Sequence, residues 1–145
     1  MNEAPPKPPP PVDIRPLESV AELQTAVDLQ KEVWQPHDRD LVPVTELVAA
    51  VHNDGIALGA FSGDRLVGFL FSMVGRRNGR YLQYSRMLAV DPAAWGRGVG
   101  AALTEGFARQ GARVVFLDVA NADSEALADS LSSLSPAPVY RRCDL

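Results

Sequence analysis

The sequence has little cysteine and histidine, and it has no excess of basic residues. Cys143 is the single cysteine in 145 residues, which excludes an internal disulfide framework and a multi-cysteine zinc site. His37 and His52 are the only imidazoles, and neither has a partner at metal-ligand spacing, so no metal is expected. The 14 basic and 18 acidic side chains give a formal net charge of −4, which argues against a nucleic-acid partner.

Long hydrophobic runs are also missing. No run approaches the roughly 20 apolar residues that cross a bilayer, and residues 1–11 lack the apolar core of a secretory signal. We therefore expect a cytoplasmic protein without membrane contact. Residues 1–11 hold half of the 12 prolines and are predicted to form a disordered tail. With 46% hydrophobic and 22% charged residues, the rest is typical of one globular domain, predicted at 12–134, followed by an irregular tail at 135–145.

The pattern of apolar residues predicts strands and helices in the order β-α-α-β-β-β-α-β-α. A short edge strand begins at Val12, and Ser19 caps a helix that ends near Trp34. Val20, Leu23, Val27 and Trp34 share one face of that helix, and a second helix follows Pro43. Three strands joined by short turns then form an antiparallel meander, predicted at 56–61, 65–74 and 80–90.

A different arrangement follows the meander. A glycine-rich loop opens a helix that ends near Gln110, a buried strand is predicted at 113–120, and a last helix at 123–134. A strand, a loop, a helix and a further strand imply a parallel crossover. The predicted fold class is α/β of the α+β type, with a mixed, mainly antiparallel central sheet flanked by helices.

The glycine-rich loop is the strongest chemical signal in the chain. It reads Gly96-Arg97-Gly98-Val99-Gly100, and it follows Met87-Leu88-Ala89-Val90-Asp91-Pro92. Glycines let backbone N–H groups approach an anion closely, and the first N–H groups of a helix are unpaired at the positive end of its dipole. Phosphate is the natural ligand of such a loop. A glycine-rich turn that binds nothing is the plain alternative.

Two classes of phosphate ligand compete for this loop. Gly96, Gly98 and Ala101 satisfy a dinucleotide fingerprint, and Asp118 follows Gly98 by 20 residues, where a ribose-binding acid is expected. Against this, residues 91–95 separate the loop from the preceding strand, a meander precedes it, and only about 45 residues follow. Coenzyme A is the second candidate ligand.

For coenzyme A the chain resembles the GNAT N-acetyltransferase superfamily over roughly residues 12–134. The similarity rests on the element order and on the segment from Met87 to Leu103, although Trp95 replaces the family's leading Gln or Arg. The resemblance implies an acyl-CoA N-acyltransferase-like fold with its last strands missing, and transfer of an acetyl group from acetyl-CoA to a small-molecule or protein amine. Pantetheine would pair with the main chain of Met87, Leu88, Ala89 and Val90, and pyrophosphate with the N–H groups of Arg97, Gly98, Val99, Gly100 and Ala101.

The sequence offers several candidates for the catalytic residues. Many family members carry a glutamate on the strand that here spans 81–86, which has no carboxylate. His52 and Asp118 are candidates for a base, each with a structural alternative: a packed or capping histidine, and an aspartate that accepts hydrogen bonds. Tyr140 resembles a displaced copy of the family's acid tyrosine. Arg76, Arg77 and Arg80 could attract phosphates or form a solvated hairpin tip.

The family fold normally continues with two strands after the last predicted helix. Three explanations of their absence stay open: a minimal variant, a homodimer partner that completes the sheet, or an early end of the reading frame. A coenzyme A-binding domain without turnover is the alternative function, and a dinucleotide-binding module is a further one.

Overall fold

The computed structural model describes residues 11–35, 40–111, 114–118 and 121–143. The predicted proline-rich tail and His37 therefore lie outside the described residues, apart from Pro11. Within the described parts no helix has the length and apolar character needed to cross a membrane. The strands are β1 (Asp13–Pro16), β2 (Ala57–Ser62), β3 (Arg65–Arg77), β4 (Arg80–Val90), β5 (Val115–Asp118) and β6 (Val139–Arg142). The helices are α1 (Val20–Trp34), α2 (Val44–Val51), α3 (Val99–Ala108) and α4 (Asn121–Ser130).

The main sheet is antiparallel, in the order β1-β2-β3-β4, which confirms the predicted meander. The third strand is longer than predicted, because β3 continues to Arg77, which pairs with Arg80. A two-residue turn at Asn78 and Gly79, with φ of 51° and 77°, then replaces the predicted turn over 75–79. Asn-Gly favours this tight turn because both of its central residues need positive φ.

Helix α1 begins at the predicted cap. Ser19 accepts from the backbone N–H of Glu22, and the Glu22 carboxylate accepts from the backbone N–H of Ser19. The predicted apolar face is partly wrong: Leu23 and Val27 are buried, but Val20 and Trp34 at the helix ends are exposed.

The buried stripe of α1 continues instead through a polar residue, Gln30. Its amide side chain accepts from the N–H of Val42 at 3.0 Å and donates to the C=O of Val42 at 3.1 Å. Both polar ends of the amide are thereby satisfied inside the core. Gln30 therefore fixes the segment that leads into α2 against α1.

A second, two-stranded sheet is formed by β5 and β6, which run parallel and are connected through α4. The prediction of an irregular segment over 135–145 is therefore wrong at Val139–Arg142. Four residues with two leading apolar side chains are too short to show a period in sequence, and their pairing with Val115–Asp118 is distant along the chain. The last predicted helix also ends earlier, at Ser130.

The main sheet has a hydrophobic core on each face. On one face Phe69 and Phe71 pack with Leu23 of α1 and Leu47 of α2, and all four are essentially inaccessible to solvent. On the other face Leu70 and its neighbours pack against α3. A sheet covered by helices on both faces confirms the predicted fold class.

Helix α3 lies close to the sheet because Gly68 of β3 has no side chain. A Cβ at Gly68 would lie 2.9 Å from Val99 Cγ1, 3.0 Å from the C=O of Ala89 and 3.3 Å from Leu103 Cδ1. Val99 and Leu103 are buried in this contact. The packing therefore fixes the start of α3, and with it the glycine-rich loop, against β3 and β4.

Candidate functional site

The connector between β4 and the glycine-rich loop is folded around Asp91. Its buried carboxylate accepts from the N–H of Ala93 at 2.8 Å and forms an ion pair with Arg65, and its own N–H donates to the C=O of Val67 at 2.9 Å. A single 3₁₀ turn, Pro92–Ala94, follows. The indole N–H of Trp95 returns to the C=O of Val90 at 2.8 Å. The loop therefore begins from a fixed anchor at the end of β4.

The loop itself turns on two glycines with positive φ. Gly96 has φ of 71°, and Gly98, the N-cap of α3, has φ of 74°. Residues with a Cβ are strained in this region, so both positions favour glycine for conformation. A Cβ at either glycine would meet no atom within 4 Å, so the loop borders open space.

The first turn of α3 is available to an anion. Among the described residues no side chain caps this helix, and the Gly98 C=O already accepts from the N–H of Ala102 at 2.9 Å. The N–H groups of a first helical turn have no acceptor within the helix, and the dipole makes this end positive. Arg97, half-buried inside the loop, adds a formal positive charge. The arrangement suits a phosphate or pyrophosphate group.

The end of β4 lies beside this helix start. Leu88 faces α3, and its Cδ2 would lie 3.9 Å from a Cβ built on Gly100. Ala89 is buried, Leu88 is 37% exposed, and Met87 and Val90 are half-buried. The structure therefore brings together the two groups of residues that the sequence assigns to the cofactor, the strand end and the loop.

Strand β4 is the last strand of the main sheet, and in the described parts of the chain its outer edge has no strand partner. It also carries a β-bulge. Phe71 pairs with Met87 and Ser72 with Ser85, so Arg86 has no counterpart on β3. A bulge re-aims the backbone next to it, and such irregularities are common beside binding sites. The main-chain groups of β4 can therefore bind an extended ligand along this edge.

The parallel crossover predicted from the strand at 80–90 to the strand at 113–120 is wrong, because β5 belongs to another sheet. β5 pairs with β6 and shares no ladder with β4. Tyr140 lies on β6 opposite Phe116 and is half-buried. Asp118 ends β5 opposite Arg142, and its side chain lies outside the described part of the structure.

Two other sequence candidates lie apart from the loop. His52 is the exposed C-cap of α2, and its backbone N–H donates to the C=O of Val48 at 3.0 Å. Arg76, Arg77 and Arg80 lie at the β3–β4 turn, at the opposite end of β4 from the loop. Since β4 has eleven residues, about 30 Å separates its ends, so these arginines do not reach a phosphate on Gly98.

Gln83, near the start of β4, takes part in a hydrogen-bond network that the sequence analysis did not predict. Its Oε1 accepts from the Ser72 hydroxyl at 2.7 Å, and its Nε2 donates to the C=O of Asp54. Ser72 is fully buried. The amide is therefore held in a network that joins β3, β4 and the turn before β2, and it is no proton acceptor. One amide between Leu82 and Tyr84 is too weak a signal to reveal such a network from sequence.

The described residues contain no group of three or more His, Cys, Asp and Glu side chains that could hold a metal ion.

Comparison with solved structures finds the same fold in acetyltransferases. An aminoglycoside acetyltransferase from an uncultured soil metagenomic sample is 25% identical, with a TM-score of 0.62, and the match covers 83% of this chain and 90% of that one. The PaiA N-acetyltransferase from Thermoplasma acidophilum, solved in complex with coenzyme A, is 17% identical, with a TM-score of 0.54 and coverage of 68% and 70%.

A shorter similarity points to a different class of enzyme. The D-xylose 1-dehydrogenase of Caulobacter vibrioides is 60% identical over 50 residues, which is 34% of this chain and 20% of the dehydrogenase. The chain thus spans about a fifth of the length of the curated relative that it matches, too little to assign that family.

The model of the acetyltransferase (GNAT) family matches residues 17–130. A segment of 50 residues is longer than either end that this model leaves unmatched, so the two similarities share residues. The family match covers most of the chain. The chain therefore belongs to the GNAT acetyltransferase family.

Proposed function

We propose that this protein is an N-acetyltransferase that transfers an acetyl group from acetyl-CoA to an amine. The observation that carries the proposal is the adjacency of two features: a loop that opens α3 with positive φ at Gly96 and Gly98, and the unpartnered edge of β4 at Leu88. The first provides donors for a diphosphate, and the second provides donors and acceptors for the amide groups of pantetheine.

The residues that would hold the cofactor follow from that adjacency. The N–H groups of residues 97–101 would bind the pyrophosphate, with Arg97 adding charge. The main chain of residues 87–90 would pair with pantetheine. Open space in front of Gly96 and Gly98 fits a bulky anion there. Acetyl-CoA would supply the activated acetyl thioester.

A backbone N–H of β4 next to the bulge would polarise the thioester carbonyl, because fixed donors aimed at a developing oxyanion are a large catalytic contribution. The attacking amine must be unprotonated, and its pKa near 10 makes a base useful at neutral pH. Gln83 is an amide and cannot act as that base, so His52, Asp118 and water stay the candidates. Tyr140 is proposed as the acid that protonates the leaving thiolate.

A domain that binds coenzyme A without turnover is the alternative within the same site. It is favoured by the lack of a carboxylate on β4 and by the hydrogen bonds that occupy Gln83.

Binding of a dinucleotide is a second candidate, and one observation favours it specifically. The unit β5-α4-β6 is a parallel crossover that follows the glycine-rich loop and α3, as in a dinucleotide-binding half. Asp118 lies at the carboxyl end of β5, where such a fold binds ribose. A D-xylose 1-dehydrogenase is 60% identical to this chain over 50 residues.

Thermal unfolding with acetyl-CoA or NAD in parallel distinguishes the ligands. A ligand at about 100 times its Kd stabilises the folded state by about 2.7 kcal/mol, so binding raises the Tm measurably. We expect a rise with acetyl-CoA and none with NAD. A rise with NAD alone would replace the first proposal with the second.

The variant Gly98→Asp tests the position of the phosphates. It places a negative charge where the pyrophosphate would lie, so the acetyl-CoA shift should disappear. Gly63→Asp is the matched control, since Gly63 also has positive φ (62°) and no neighbour within 4 Å of an added Cβ, but lies in the β2–β3 turn. The proposal fails if both variants keep the same shift.

Release of free thiol with a panel of amines then separates the enzyme from the binding domain. Thiol release that depends on both acetyl-CoA and an amine supports turnover. Binding of acetyl-CoA without thiol release from any amine supports the domain without turnover.

The oligomeric state and the cellular location of the protein are also proposals. A second copy would complete the sheet away from the edge assigned to pantetheine, and such a homodimer would show twice the chain mass in light scattering. A cytoplasmic location, where acetyl-CoA is made and used, suits the proposed reaction.

A further inference from the structure

A cleft of about 610 Å³ opens between the first residues of β4 and the C-terminal end of α3. Its wall includes Asp54, Val74, Tyr81, Leu82, Gln83 and Gln110. Gln83 precedes the bulge residue Arg86 by three positions, so the cleft begins about 10 Å from the part of β4 that we assign to the thioester. The cleft therefore lies along the same strand as the main-chain groups that we assign to the cofactor, but closer to the start of β4.

The formally charged side chain among the described residues that line the cleft is acidic. Asp54 is the single ionisable carboxylate among the described lining residues, and no described Lys or Arg lines the cleft. Asp54 is exposed, and its backbone has φ of 62°. The donation from Gln83 to its C=O holds the residue in place. A cation entering the cleft therefore meets a carboxylate that is carried on a fixed backbone.

The opposite wall is apolar and aromatic. Tyr81 is 78% exposed, and Leu82 and Val74 are 38% and 37% exposed, although all three are large hydrophobic side chains on a sheet. The guanidinium carbon of Arg76 lies 5.8 Å from the centroid of the Tyr81 ring, which is the distance of a cation–π contact. The Tyr81 ring therefore already contacts one cation, the Arg76 guanidinium, at the rim of the cleft.

We infer that this cleft receives the acceptor, and that the acceptor is a compact cationic amine without a carboxylate of its own. Asp54 binds an ammonium group, and the carbon skeleton packs against Tyr81, Leu82 and Val74. An acidic molecule would bring its charge against the Asp54 carboxylate. The inference rests on the proposed acetyltransferase function, because it assigns the acceptor side of that site.

Calorimetric titration of the full chain without acetyl-CoA tests this assignment. The probes are cadaverine, with its neutral counterpart 1,5-pentanediol, and glucosamine, with N-acetylglucosamine. We expect the amines to bind and the neutral molecules to bind at least about tenfold more weakly. Equal binding of charged and neutral members, or no binding of either amine, would overturn the inference.

The variant Asp54→Asn identifies the carboxylate. Asparagine tolerates positive φ and keeps the backbone C=O that Gln83 binds, so the fold should be unaffected. Amine affinity should fall about tenfold, while Asp64→Asn, an exposed turn residue outside this cleft, should leave it unchanged. Tyr81→Ala should weaken amine binding by a few fold. Because the Tyr81 side chain is exposed, its removal should leave the fold intact. Unchanged affinity in Asp54→Asn would overturn the assignment.

The acetyl-CoA thermal shift separates this inference from the proposed function. Asp54→Asn should keep the wild-type shift, because Asp54 is distant from the loop. If amine binding needs Asp54 but acetyl-CoA never shifts the Tm, the acetyltransferase proposal fails and with it the acceptor role. If acetyl-CoA shifts the Tm and amine binding ignores Asp54, only the cleft assignment fails.

Discussion

Replacing Gly68 by alanine should loosen the packing of α3 on the sheet. The new Cβ would lie 2.9 Å from Val99 Cγ1 and 3.0 Å from the C=O of Ala89. Neither neighbour can move freely: a valine in a helix has essentially one rotamer, and the carbonyl belongs to a paired strand. Forcing one extra methyl into a well-packed core costs about 1–3 kcal/mol. For a chain of this length the Tm should fall by about 3–10 °C.

Thermal and urea unfolding followed by circular dichroism measure this change. The control is Gly100→Ala in α3, where the nearest atom to the new Cβ is Leu88 Cδ2 at a comfortable 3.9 Å. This control should be neutral or stabilise the protein by about 0.5 kcal/mol, because alanine has the better helix propensity. A Gly68→Ala protein that melts at the wild-type temperature, or a Gly100→Ala protein that loses equal stability, would refute the packing argument.

Two further predictions concern polar groups. The Arg15 guanidinium and the N–H groups of Ser19 and Glu18 lower the pKa of Glu22 to about 2 from 4.5. Its contribution to stability is therefore present above pH 4.5 and is lost as the pH falls towards 2. Glu22→Gln should flatten urea-unfolding stability over that window, and an unchanged acid slope would contradict this. Gln83→Ala should lower stability by about 1–3 kcal/mol, because it removes one hydrogen bond from the buried Ser72 hydroxyl and one to the C=O of Asp54. A midpoint equal to wild type in urea would count against the network.

Local signals in the sequence predicted the local structure well. Ser19 was predicted as the cap of α1, because a helix cap involves hydrogen bonds between close neighbours only. The loop at Gly96 and Gly98 was found because positive φ favours glycine at fixed positions. The meander was predicted because period-2 runs alternate with short turns, and only the end of β3 at Arg77 was misplaced.

Features that depend on distant partners were not predictable. The strand at Val139–Arg142 exists through its pairing with β5 across α4, and its own sequence has no period. The ends of α1 were predicted as buried because Val20 and Trp34 are apolar and in phase, but both side chains are exposed in the structure. Gln30 and Gln83 gain their roles from Val42 and Asp54, which no sequence spacing links to them.

The indole of Trp95 has a consequence for spectroscopy. Its N–H is tied to the C=O of Val90, while 66% of its surface faces solvent immediately before the glycine-rich loop. Trp34, the second tryptophan of the chain, is also exposed, and its replacement by phenylalanine would leave Trp95 as the one tryptophan that is excited at long ultraviolet wavelengths. Fluorescence from that one ring would report occupancy of the loop directly, with no label attached.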